Sequence, residues 1–115
     1  MIVQRKKEVI IKSPDVELIP LSDNVAAVID ADDYPVLGTL HWSLRRSHNL
    51  WYAVTRKQIA GKRKYIKMHR LITSCPDGYE VHHINGNTLD NRKSNLMVLQ
   101  KKDHLAIHNR FTTRR

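Results

Sequence analysis

A single cysteine, Cys75, stands among 115 residues, and that scarcity excludes two ways of stabilising a small domain. No disulfide can close within the chain, and no zinc knuckle built on paired cysteines can form. Any metal must therefore be held by histidine, carboxylate or amide groups. Long apolar runs are missing as well. The piece from Val9 to Ile11 is broken by charge on both sides, and no later run approaches membrane-spanning length. A cytosolic protein without a membrane partner is the simplest reading. No internal repeat or low-complexity tract appears. At 115 residues and 41% hydrophobic content the chain suits one compact domain with a modest core.

Acidic residues are absent from one long stretch, and this absence is the most informative of all. Between Asp33 and Asp77 there is no carboxylate, yet Arg45, Arg46, Arg56, Lys57, Lys62, Arg63, Lys64, Lys67 and Arg70 all fall there. These nine equal the whole net charge of +9. A merely solvated basic surface is usually interspersed with carboxylates, so the distribution favours nucleic acid as the partner.

Turn signals and periodicity divide the chain into short elements. The first dozen residues read as a loose arm or an edge strand. Glu17 to Pro20 and Val25 to Ile29 are short apolar runs on either side of a polar turn, and a helical turn ends near Gly38. Asp30, Asp32 and Asp33 suggest a carboxylate metal site less strongly than they suggest capping of a short helix. From His41 to Ile72 the pattern is that of strands: Trp42 and Leu44 alternate with polar neighbours, the segment 50–57 is rich in β-branched and aromatic residues, and Lys64 to Met68 is a third strand. The expected product is a three-stranded antiparallel meander with one apolar and one basic face, covered by a short helix or turn at 69–72. Trp42, Trp51 and Tyr52 are expected to serve core packing ahead of base stacking. After the turn at 75–78 the order becomes strand 79–84, long loop, strand 96–99, helix 101–111.

The last of these segments holds four of the seven histidines around one asparagine. His82 and His83 are adjacent, Asn95 lies twelve positions after His83, and His104 and His108 lie nine and thirteen after Asn95. On a helix His104 and His108 share a face. If the hairpin brings His82 alongside, three imidazoles can hold one divalent ion and leave positions open for phosphate and water. Alternation along the strand turns His83 away from His82, so its role differs. An imidazole that titrates near neutrality can take a proton from water and so act as the general base of phosphodiester hydrolysis. Asn95 can brace the loop through its amide. Glu80, two residues before His82, either orients an imidazole or pairs with an arginine, and an ordinary exposed glutamate fits equally well.

The segment from Glu80 to His108, with its HHINGN loop and DNRKSNL stretch, resembles the HNH endonuclease motif, the ββα-metal finger of phage and intron homing endonucleases and some colicin DNases. The resemblance implies an α+β fold, a small antiparallel β-sheet region at residues 1–78 that binds DNA, followed by a ββα-metal finger at 79–115. It implies His83 as general base, Asn95 as the bracing asparagine, and His82, His104 and His108 as metal ligands. Many phage members carry aspartate where His82 stands, so this site is similar to the all-histidine colicin type. The implied cofactor is one divalent ion, Mg²⁺ or Mn²⁺ first, with Zn²⁺ or Ni²⁺ admitted by the histidines. The upstream segments AVIDADDYPVLGTLHWSLRR, LWYAVTRK and KMHRLI resemble the N-terminal part of phage homing-type proteins, with a meander similar to AP2-like DNA-binding sheets. A phage-encoded DNA endonuclease acting in the bacterial cytoplasm is the expectation, leaving 5′-phosphate and 3′-hydroxyl ends. Double-strand cleavage would require a homodimer or two visits. The alternative is a non-catalytic DNA-binding protein with a structural metal; a small structural protein with incidental histidines ranks last.

Overall fold

A computed structural model describes residues 15–104. The expected N-terminal arm and the helix beyond residue 104 lie outside them. The chain runs through β1 (Val16–Pro20), β2 (Ala26–Asp30), α1 (Tyr34–Leu37), β3 (Ser43–Ser47), β4 (Leu50–Ile59), β5 (Lys62–Lys67), α2 (Met68–Thr73), β6 (Tyr79–His83) and β7 (Leu96–Gln100). The arrangement is α+β. Three separate antiparallel sheets form, β1-β2, β3-β4-β5 and β6-β7, where one N-terminal sheet was expected. Residues 101–104 after β7 are helical.

Period-two burial builds the core. In β2, Ala27 and Ile29 are fully buried and their neighbours only partly so. They meet Ile19 of β1, Trp42, Ala53 and Met68 in one cluster. Full burial of Ile29 or Met68 stabilises by about 2 kcal/mol each. Trp42 spans from core to backbone, its indole Nε1 donating to the Leu37 carbonyl at the end of α1 at 2.9 Å. Met68 was expected to close the third strand. Instead it opens α2, where its side chain is still fully buried.

The central meander has the expected order, but its charges are not confined to one face. The register pairs Arg45 with Tyr52, Arg46 with Trp51, Arg56 with Tyr65 and Lys57 with Lys64. Cross-strand partners share a face and chain neighbours do not. Arg45, Arg56, Arg63 and Lys67 therefore lie on the face of Tyr52 and Tyr65, whereas Arg46, Lys57, Lys62 and Lys64 lie on the face of Trp51. The sheet is buried on both faces at Ala53, Val54 and Thr55 and exposed on both from Arg56 to Ile59. Trp51 is half exposed and has Arg46 near its ring, which corrects the expectation of a core role.

The first hairpin clamps the long loop between β6 and β7. Val28 donates its N–H to the Leu89 carbonyl at 2.9 Å and accepts from Asn91 N–H at 2.8 Å, forming a parallel bridge with Asp90. Leu89 is buried in the main core. Asp30 and Asp33 make no side-chain cap bonds, contrary to expectation. Asp30 accepts from the Lys93 backbone N–H at 2.9 Å, and Asp33 takes the Lys93 ammonium at 2.7 Å. The carboxylates are spent on a strap 60 residues away in sequence.

Within the loop, buried Asp90 receives two bonds from the Arg92 guanidinium, at 2.7 and 2.6 Å. Burial alone would raise the Asp90 pKa, yet the bonds from Arg92 and Asn85 together hold it below the ordinary carboxylate value of 3.8. A carboxylate depressed in the fold contributes stability above its unfolded pKa and loses it as pH falls through the folded value. Arg92→Met should therefore melt below the wild type at pH 7, and the gap should narrow below about pH 4 as Asp90 protonates in both. Thermal unfolding at pH 7 and pH 3 checks this; an unchanged gap would contradict it.

Candidate active site

Parity along β6 sorts its side chains. Val81 and His83 are buried on one face, and Glu80 and His82 are partly exposed on the other. The strand stops at His83 because the chain turns sharply there: the Gly86 N–H donates to the His83 carbonyl at 2.9 Å, with Gly86 at φ +80°, a conformation glycine adopts without a Cβ penalty. Ile84 N–H then donates to the Asn95 carbonyl at 2.9 Å, closing the hairpin end. A strand ending at this point lets neighbouring histidines from opposite faces serve one centre.

His83 is 7% exposed, and its Nε2 lies 2.8 Å from Asn91 Oδ1. The Asn91 amide nitrogen faces the Met68 sulfur at 3.3 Å, so the amide oxygen is the atom turned to the imidazole. Nε2 therefore carries the proton, and the lone pair is on Nδ1. The ring is packed edge-on by His69 at 5.1 Å between centroids and lies 6.4 Å from the Tyr52 ring. Burial lowers the His83 pKa, outweighing the Asn91 bond and the Asp90 charge that raise it, while His82 and His104 lower it further. The imidazole is neutral at neutral pH and able to accept a proton. His69, also buried, is pushed down to about 3, first by burial and then because its cation would be disfavoured beside a protonated His83 and the Lys67 and Arg70 charges, and it stays neutral as well.

On the other face, His82 Nδ1 and His104 Nε2 stand 3.3 Å apart, with their rings in an edge arrangement. Glu80 Oε1 lies 2.7 Å from His104 Nδ1. That bond lowers the Glu80 pKa, so the carboxylate accepts from Nδ1–H and turns the His104 Nε2 lone pair toward His82. Glu80 thus takes the orienting role, not the arginine pairing. The spacing fits a shared cation: two imidazole nitrogens bound tetrahedrally to one ion at about 2.0–2.1 Å stand about 3.3 Å apart. His108 lies outside the described residues. Among the described residues no set of three ligating side chains converges.

Asn95 is 5% exposed and its amide is fully used. Oδ1 accepts from the Asn85 backbone N–H at 2.9 Å, and Nδ2 donates to Asn85 Oδ1 and to the Asp90 carbonyl at 2.9 Å each. These bonds brace the loop that carries Asn91. Sequence reasoning missed Asn91, His69 and Tyr52. The Asp-Asn pair at 90–91 was visible, but it read as a polar loop, and only the bridge to Val28 buries it. Arg70, one of the nine basic candidates, donates to the Tyr79 and Pro76 carbonyls at 3.1 and 3.3 Å and so braces the turn before β6.

Against known families, residues 73–106 match the model described as HNH endonuclease. That segment of the chain is similar to HNH endonucleases. The matched stretch spans both histidines of β6, the braced loop, β7 and His104, so the HNH match and the geometry fall on the same residues. No curated protein and no solved structure matches the chain.

Proposed function

We propose that the protein is a divalent-metal-dependent DNA endonuclease built on a ββα-metal finger, with His83 as general base and His82, His104 and His108 as metal ligands. The observation that carries this reading is the pairing of a buried, neutral, oriented imidazole with two converging imidazole nitrogens at the end of the same strand. A structural metal alone has no need of a base held by Asn91 and His69. The HNH match makes DNA the expected substrate and a divalent ion the expected cofactor.

In the proposed reaction His83 Nδ1 takes a proton from water while the water oxygen bonds to phosphorus and the bond to the 3′ oxygen breaks. The departing oxygen takes a proton from solvent. When bound, the ion supplies positive charge to the phosphate and the leaving oxygen. Asn91 fixes the tautomer that leaves Nδ1 basic, Glu80 fixes the tautomer of His104, and Asn95 keeps the loop closed around both. The sheet supplies phosphate contacts from Arg45, Arg46, Arg56, Lys57, Lys62, Arg63, Lys64 and Lys67.

Incubating supercoiled plasmid with the protein and Mg²⁺, Mn²⁺, Ni²⁺ or Zn²⁺ tests the reading. Nicking is expected with at least one ion and none with EDTA. Intact plasmid under every condition would leave the non-catalytic DNA-binding alternative.

A further inference from the structure

One cation that shares an aromatic neighbour with the base has no ion-pair partner among the described residues. Among the described residues Arg92 is bonded to Asp90, Lys93 to Asp33, and Arg70 to two backbone carbonyls. Arg45 lies flat over Tyr65 at 3.8 Å from the ring centre. Lys67 differs. Its ammonium sits 4.3 Å from the Tyr52 ring centre and makes no ion pair or side-chain hydrogen bond among the described residues, although the residue is half-buried. Its ammonium is therefore placed against an aromatic face with no protein acceptor among the described residues.

The strand register explains the placement. Lys67 pairs with Val54, two residues from Tyr52 on the same face of β4, so ammonium and ring meet diagonally across the β4-β5 pair. The same ring lies 5.6 Å from the His69 ring and 6.4 Å from the His83 ring between centroids. Lys67 and the base are thus neighbours of one aromatic ring. Burial lowers the Lys67 pKa and Arg70 adds to this, while the Glu80 carboxylate acts in the opposite direction.

We propose that Lys67 is a catalytic residue of this centre, donating to a non-bridging oxygen of the phosphate attacked by the water at His83, with Tyr52 as the positioning residue beneath its ammonium. This rests on the nuclease reading and deepens it. The other sheet cations would contact flanking phosphates, whereas Lys67 meets the charge that grows on the reacting one.

The test is single-turnover plasmid nicking at saturating protein with the activating ion, alongside the Kd for a DNA duplex in EDTA. Lys67→Gln should cut about a hundredfold more slowly. Its Kd should stay within about threefold of wild type, since one phosphate contact among many is lost. Lys67→Arg, which keeps the charge, should recover much of the rate. A Lys67→Gln rate close to wild type at saturation, or a deficit that added protein removes, overturns the proposal while leaving the nuclease reading intact. An inert wild type would instead overturn the nuclease reading. Tyr52→Leu gives a second measurement: a slower rate at unchanged Kd supports the placement, and an undiminished rate overturns it.

Discussion

His83→Ala should abolish plasmid nicking, by about a thousandfold or more, while metal binding persists. The two effects separate because the imidazoles lie on opposite faces of β6. His83 faces Asn91 and His69, whereas His82 faces His104, which Glu80 holds from the far side. Removing the base leaves the facing nitrogens where they are. The Asn91 amide oxygen then loses its donor in a buried site, a cost of about 1–3 kcal/mol, so the variant should melt earlier but still fold. His82→Ala and His108→Ala should fail differently, with metal affinity weakened or lost and the base undisturbed. Calorimetric titration with Ni²⁺ or Zn²⁺ beside the nicking assay distinguishes the cases. Undiminished nicking by His83→Ala would remove the proposed base, and loss of metal binding in that variant would mean that the two faces are not independent.

The division between these faces was legible in the sequence because it needs only local parity. Strand alternation separates His82 from His83 and puts Glu80 with His82, and the structure keeps both relations. The meander was legible for the same reason, its turns being marked at 47–50 and 59–62. Parity also held a warning that the expectation of one basic face ignored. Arg45 and Arg46, Arg56 and Lys57, and Arg63 and Lys64 are adjacent pairs on strands, and adjacent residues cannot share a face. What could not be read locally was the packing of the loop at 85–95. Its polar composition suggests solvent, yet Asp90, Asn91 and Asn95 are buried. The partners that make this tolerable are distant: Val28 bridges Asp90, the Met68 sulfur meets Asn91, and Asp30 and Asp33 tie down Lys93. His69 likewise read as part of a covering helix, and only the docking of α2 against β6 brings its ring onto His83.

That loop is where the second large effect is expected. Asn95→Ala deletes three hydrogen bonds, and at about 1 kcal/mol net for each the variant should lose roughly 3 kcal/mol. For a chain of this size the melting temperature should fall by roughly 10 °C. Water can reach part of exposed Asn85, so the Asp90 carbonyl, in a buried residue, bears the larger share. Nicking should fall with it, because slack in the loop loosens Asn91 from His83. Asn95→Asp sharpens the test. It keeps an acceptor for the Asn85 N–H but turns a carboxylate oxygen toward Asn85 Oδ1 and the Asp90 carbonyl, both acceptors. Such a carboxyl is protonated more readily in the folded than in the unfolded chain. A raised folded pKa contributes stability below the unfolded value and loses it as pH rises through the folded value. The deficit of Asn95→Asp against wild type should therefore be large at pH 7.5 and shrink toward pH 5, while that of Asn95→Ala should not. Thermal unfolding of the three proteins at both values decides it. If the aspartate and alanine variants track each other at both pH values, the amide is not acting as the donor that holds the loop shut.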